Sequence, residues 1–311
     1  MLRKLFLTLL LITTLSPLSN AAELIFAGGP DGGVFRLFSS AISEYLNDNQ
    51  DENEFKTVPS RGSIENLGSV ESKNVDFAIV YSGDLYLADQ GRIGRRVKFY
   101  RNPQAVSYLY SSNAQLVVKK DSSIKSVKDL IDKRIAVGAI GSGASASAER
   151  FFKSMGIWRQ IKPMFLGYSA GVDAMISDEV DALWLFTGFP NPAVQKLTES
   201  VDIRMLPIIK EEHKELFTEY PFYTEAKIPA GTYKGVEQDV VTIADSTLLV
   251  AGKHVPADVV EKSLEIIYTD KGLAYLVNKK STAKSMSIES GTKGIVTTLH
   301  KGAKSFWESK Q

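Results

Sequence analysis

Apolar positions along the chain alternate between two rhythms, short runs of strand length and stretches with one apolar face at the 3.6-residue period of a helix. Leu24–Ala27 reads as a strand, Gly28-Gly29-Pro30-Asp31-Gly32-Gly33 as a loop, and Val34–Leu46 as a helix with Val34, Leu37, Phe38, Ala41, Ile42 and Tyr45 on one face. A strand over Glu54–Pro59 leads through Ser60-Arg61-Gly62-Ser63 to a helix from Ile64, for which Ser63 is a suitable N-cap. Val75–Tyr81 is a buried strand that ends at Ser82-Gly83-Asp84.

Beyond a mixed segment holding Arg92, Arg95, Arg96 and Arg101, a long strand is expected at Ala114–Lys120. Ser126 and Asp129 have the spacing of a capping box. From there the pattern is regular: strand 134–138, helix 144–155, strand 161–166, helix from Ser169, strand 180–186, helix from Pro192 and strand 202–207. Strand 180–186 (VDALWLF) is uninterrupted, as in a parallel sheet covered on both faces. It ends at Thr187-Gly188-Phe189-Pro190, at the carboxyl edge where open parallel sheets bind ligands. The segment 221–233 breaks the alternation. Val240–Val250 is a further strand, Pro256 fits N1 of a helix reaching Tyr268, and Ala303–Ser309 is a terminal helix.

This is an α/β chain in which strand, glycine loop and helix occur twice, at 24–46 and at 134–155. In the second copy glycines stand at 138, 141 and 143, and Ala144, Ala148, Phe151, Phe152 and Met155 share a helix face. Such a unit gathers backbone N–H groups at a helix start and suits an anion. Gly138 and Gly143 have the spacing of a P-loop, but Ala144 occupies the lysine position. Gly141, Gly143 and Ala146 imitate a dinucleotide fingerprint, but residues 159–165 hold no acidic residue for a ribose. A plain anion or carboxylate cradle is left. With one copy in each of two lobes, an anion would be held from both sides of a cleft; a single continuous sheet is the alternative. We place lobe 1 at 22–112 with 243–311, lobe 2 at 113–230, and a crossing segment at 231–242.

Composition narrows the function. The chain has 311 residues and no cysteine, which removes disulfides and thiolate chemistry. It opens with Arg3 and Lys4, an apolar run from Leu5 to Leu15 and small residues at Ser19 and Ala21, the pattern of a signal peptide over 1–21. The mature part then carries 35 basic against 36 acidic residues, about −1, and nothing in it favours nucleic acid. A location in the periplasm is expected. His213, His254 and His300 lack metal-ligand spacing, so neither a metal nor a cofactor is expected. A hydrolase would need a base near Ser142, and there is no Gly-x-Ser-x-Gly elbow.

Taken in order, the motifs resemble the solute-binding proteins of TRAP transporters of the TAXI class. The loop Gly28-Gly29-Pro30-Asp31-Gly32-Gly33-Val34-Phe35 is similar to GGxGGxYY, and Arg61–Leu67 to the GGSxENL element. Lys120–Val127 through Gly141-Ser142-Gly143-Ala144, then Thr187–Pro190, and finally Tyr220–Tyr223 with Ile228–Gly235, match further family elements. The resemblance implies a two-lobed periplasmic-binding-protein fold (type II-like) with a ligand cleft. It implies no enzyme activity, a monomer, and delivery of a small organic anion, glutamate or a dicarboxylate, to TRAP permease subunits; a periplasmic sensor of the same fold is the alternative.

The implied pocket has backbone donors from Gly33, Val34, Gly141, Ser142 and Gly143, and hydroxyls from Ser82, Ser142, Ser145 and Thr187. Phe35, Tyr81 and Phe189 would form walls beside Gly188, and Arg36 or Arg61 would meet a second charge. Departures from the family pattern are Val34-Phe35 in place of a tyrosine pair, Tyr81-Ser82-Gly83-Asp84 in place of Gln-Ser-Asp, and Ala144 in place of threonine. A helix terminus contributes about 0.3–1 kcal/mol per charge and a charge-assisted hydrogen bond about 1.5–3 kcal/mol. Four or five such contacts reach the roughly −8 kcal/mol of a micromolar ligand after ordering costs.

Overall fold

The computed structural model describes residues 22–30, 33–94 and 97–310. The expected signal peptide, together with Asp31, Gly32, Arg95 and Arg96, lies outside the described residues. The described strands are β1 (Ala22–Ala27), β2 (Asn53–Val58), β3 (Phe77–Tyr81), β4 (Pro103–Lys119), β5 (Arg134–Ala136), β6 (Lys162–Met164), β7 (Ala182–Thr187), β8 (Ile203–Met205), β9 (Thr224–Ile228) and β10 (Val240–Gly252). They join into one path, β2-β1-β3-β10-β4-β7-β5-β6, with β8 beside β4 and β9 beside β10.

Two long strands hold this path together. The first part of β4 pairs antiparallel with β10, from Pro103 opposite Gly252 to Asn113 opposite Ala244. From Asn113 onward β4 pairs with β7, and at its end with β8. In the same way β10 leaves β9 at Ala244 and continues against β3 from Thr247. The sheet is therefore continuous and still has two halves, meeting where Ser111–Asn113 lies beside Ala244–Ser246.

Polar residues hid the first half of β4 from the apolar pattern. Ser107, Ser112 and Asn113 are buried there, and the Ser112 hydroxyl meets the Thr247 hydroxyl at 2.7 Å across the strands. That pairing offsets the cost of burying the Ser112 hydroxyl. Strand β7 is buried throughout, as its sequence requires, but its neighbours differ: β5 is parallel and β4 antiparallel. The sheet is mixed and not purely parallel.

Around the first half lie α1 (Val34–Asn49), α2 (Ser63–Glu71), α3 (Ser82–Asp89), α8 (Ala257–Ile267), α9 (Asp270–Lys279) and α10 (Lys301–Glu308). The second half carries α4 (Gly143–Ser154), α5 (Tyr168–Ile176), α6 (Pro192–Ser200) and α7 (Lys214–Glu219). Helix α3 was not expected, because Ser82-Gly83-Asp84 reads as a turn. Strand β9 and helix α9 were missed too; α9 is announced only by Thr269, whose hydroxyl accepts from the Gly272 N–H at 3.0 Å. The Ser126–Asp129 capping box forms, but it heads a 3-10 turn at Val127–Leu130. Pro256 is the N-cap of α8 and not its N1 residue. Among the described residues no helix is long and apolar enough to cross a membrane.

Candidate functional site

Five helices begin at one cavity between the two halves. Its lining includes the N-cap residues of α1 (Gly33), α2 (Gly62), α3 (Tyr81), α4 (Ser142) and α5 (Gly167). The cavity volume is about 20 Å³, slightly more than one ordered water needs. Arg61 is the charged side chain among the described lining residues. Helix starts carry partial positive charge and N–H groups without helical acceptors. This arrangement is chemically suited to a small anion.

The first-half wall is fixed by α2. Asn66 donates through Nδ2 to the carbonyls of Gly28 (2.8 Å) and Ile79 (2.7 Å), tying the β1–α1 loop to β3. Glu65 accepts from the Arg61 N–H at 3.0 Å and from Arg61 Nε at 2.6 Å. Ser63 does not cap α2: its hydroxyl accepts the Tyr81 N–H at 3.0 Å, and Gly62 is the N-cap with φ +114°, a backbone shape that suits glycine. The Gly33 N–H turns back to the Pro30 carbonyl at 3.1 Å, so the donors of this wall are those of Val34 and Phe35 in the first turn of α1.

The second-half wall is the start of α4. The Ser142 N–H is used by the Ala139 carbonyl at 3.0 Å, and its hydroxyl accepts from the Ser145 N–H at 3.0 Å. Gly143 and Ala144 therefore present the first-turn donors. Gly143 is required by contact: a Cβ there would lie 2.6 Å from Asp84 Oδ2 and 2.6 Å from the Tyr81 ring. The Tyr81 hydroxyl donates to the Phe186 carbonyl on the far side of the cavity, and the Tyr168 hydroxyl reaches the same carbonyl at 2.8 Å. Burial raises both phenols, Tyr168 to about 12 and Tyr81 well above its ordinary value, so both stay protonated.

Nine of the expected site residues line the cavity: Gly33, Val34, Phe35, Arg61, Tyr81, Ser142, Gly143, Ala144 and Thr187. Others point elsewhere. The Ser82 hydroxyl donates to the Gly294 carbonyl, a bond that holds the C-terminal segment. Gly141 and Ser145 line an outer groove, and the Cβ position of Gly141 is 3.6 Å from the Arg61 guanidinium carbon. Gly188 backs onto Tyr110 and Thr282, and the Phe189 carbonyl accepts from the Thr282 hydroxyl at 3.4 Å. Arg36 is outside the lining, with its Nη1 buried and without a hydrogen-bond partner.

Sequence reasoning missed Pro30, Gly62, Ser63, Gly138, Ala139, Gly167 and Tyr168 as lining residues. Tyr168 is the first residue of α5. Its helix is capped by Gly167, and the phenol crosses to β7.

Beneath the cavity lies a buried ionic cluster that the sequence did not announce. Arg150 donates from Nη2 to Asp84 Oδ1 at 2.8 Å and from Nε to the Tyr223 hydroxyl at 2.8 Å. Asp245 Oδ2 accepts the Gly83 N–H at 2.9 Å. Asp84 is fully buried, Asp245 nearly so, and each keeps one carboxylate oxygen without a partner. Burial, followed by the Asp84 charge, pushes the Asp245 carboxyl well above the aspartate range.

A continuous sheet with two halves, helices around each half and a cavity between them is the architecture of the two-lobed periplasmic binding proteins. The chain belongs to the NMT1-like family, whose pattern matches residues 26–310. Solved structures of similar fold include Rpa4515 of R. palustris with adipate, 17% identical, with TM-score 0.54 over 84% of this chain and 88% of that one. The alkanesulfonate-binding protein SsuA of Xanthomonas axonopodis pv. citri, bound to MOPS, is 15% identical with TM-score 0.50 over 85% and 82%. A protein described as a periplasmic transporter is 12% identical with TM-score 0.53 over 94% and 95%. At these identities the likeness is one of fold.

Proposed function

We propose that the protein is a periplasmic solute-binding protein, without catalytic activity, that captures a small organic anion and passes it to a membrane permease. The observation that carries this reading is the convergence of five helix starts and Arg61 on one cavity between the halves. The motif resemblance to the TAXI class favours a TRAP-type permease and glutamate or a dicarboxylate as ligand. The signal-peptide pattern at 1–21 favours the periplasm. We assign 22–112 with 243–311 to lobe 1 and 113–230 to lobe 2, with β4 and β10 passing between them.

Arg61 is the cation placed to meet the ligand. Glu65 holds its Nε, and its remaining guanidinium donors face the junction with Gly141. The test is native mass spectrometry of the mature protein, followed by a thermal-shift screen of amino acids, dicarboxylates and sulfonates. At least one class is expected to raise the melting temperature, and Arg61→Ala to weaken that ligand about tenfold or more through loss of a charge-assisted bond. Arg36→Ala is expected to leave the affinity unchanged. A screen in which no small anion binds would overturn the proposal.

A further inference from the structure

We infer that Tyr81–Asp84 is a clasp between the two halves, with Tyr81 and Asp84 acting as positioning residues that hold the α4 wall closed over the cavity. The inference rests on the solute-binding reading and adds to it the contact that regulates closure. The segment begins at the last residue of β3 in the first half, and two of its side chains cross the cleft. The Tyr81 hydroxyl ends on the Phe186 carbonyl of β7, and Asp84 ends on Arg150 of α4 at 2.8 Å. Between them sits Gly143, whose missing Cβ makes room for both the Tyr81 ring and Asp84 Oδ2.

Arg150 lies seven residues, about two helical turns, beyond Gly143 on α4. A pull on Arg150 therefore acts along the helix whose first turn walls the cavity. The segment is also fastened at its base, because the Gly83 N–H donates to Asp245 on crossing strand β10. Asp84 is fully buried and the Arg150 side chain is 10% exposed. Separating the halves hydrates both charges, and bringing them together must strip that water away again. The contact thus behaves as a threshold between two arrangements and not as a continuous spring.

The chain contains no cysteine, so one engineered pair can carry spin labels without background. Glu54 on β2 and Lys196 on α6 are suitable positions, with side chains 56% and 57% exposed. The experiment measures the distance distribution between labels at Glu54→Cys and Lys196→Cys in the mature chain by pulsed electron resonance. Asp84→Asn is expected to raise the ratio of longer to shorter distances about tenfold or more, since the carboxylate charge paired with Arg150 is lost. Tyr81→Phe, which keeps the ring and removes the hydroxyl, is expected to shift it in the same direction by a smaller factor.

An unchanged distribution in a variant with native circular dichroism would overturn the clasp. If Asp84→Asn fails to fold, Tyr81→Phe decides by the same measure. The anion screen is independent: longer distances without any bound anion would leave the clasp standing and remove the transport reading.

Discussion

Replacing Arg150 by methionine keeps much of the stem's bulk and removes the guanidinium. Asp84 then loses its Arg150 partner at 2.8 Å, and Tyr223 loses the donor to its hydroxyl. Three aromatic rings, those of Tyr220, Phe222 and Tyr223, also lose a cation 5.8–5.9 Å from their centres. Breaking a buried pair by removing one partner costs about 3–5 kcal/mol, because the other charge is left buried and unpaired. At about 2–4 °C per kcal/mol this corresponds to a fall of ~6–20 °C in melting temperature.

Urea titration of parent and variant measures the loss. Adding Asp84→Asn to Arg150→Met removes the orphaned charge and should recover most of it. A loss under about 1 kcal/mol, or rescue by Asp245→Asn but not by Asp84→Asn, would refute the assignment of the paired charge to Asp84.

Gly143→Ala places a Cβ 2.6 Å from both Asp84 Oδ2 and the Tyr81 ring, and both neighbours are buried. Overpacking of this kind costs about 1–3 kcal/mol, so the variant should melt lower and lose anion affinity; an unchanged melting curve and affinity would contradict the tight closure. His213 is buried against Phe151 with Nε2 unpartnered, and burial lowers its pKa. A lowered folded value means stability that is full above about pH 6.5 and declines as pH falls. The stability difference between parent and His213→Phe should change between pH 7.5 and 5, and a constant difference would show that His213 does not titrate on unfolding.

The apolar rhythm located β1, α1, α4, β7 and α6, where a single buried face dictates the element. It failed at the first half of β4 and at Ser82–Asp89, where buried polar residues interrupt the apolar pattern and find partners on distant strands. The hydroxyl of Ser112 needs Thr247, and the Gly83 N–H needs Asp245. Neither pairing has a local signature.

The candidate site divided in the same way. Glycine loops ahead of amphipathic helices marked two of its walls, because an N-terminus with unpaired donors is a local property. What the sequence could not assign was the direction of each donor. Gly33 and Ser142 spend their N–H groups inside their own turns, Ser82 turns to the C-terminal segment, and Tyr168 crosses to β7.

By itself, then, the sequence determined an α/β chain with two anion-suited helix starts, since periodicity and glycine spacing act over a few residues. Tertiary structure alone decided that three more helices begin at the same cavity and that Asp84 meets Arg150 beneath it. The Asp84–Arg150 pair joins residues 66 positions apart and forms only when the two halves of the sheet come together.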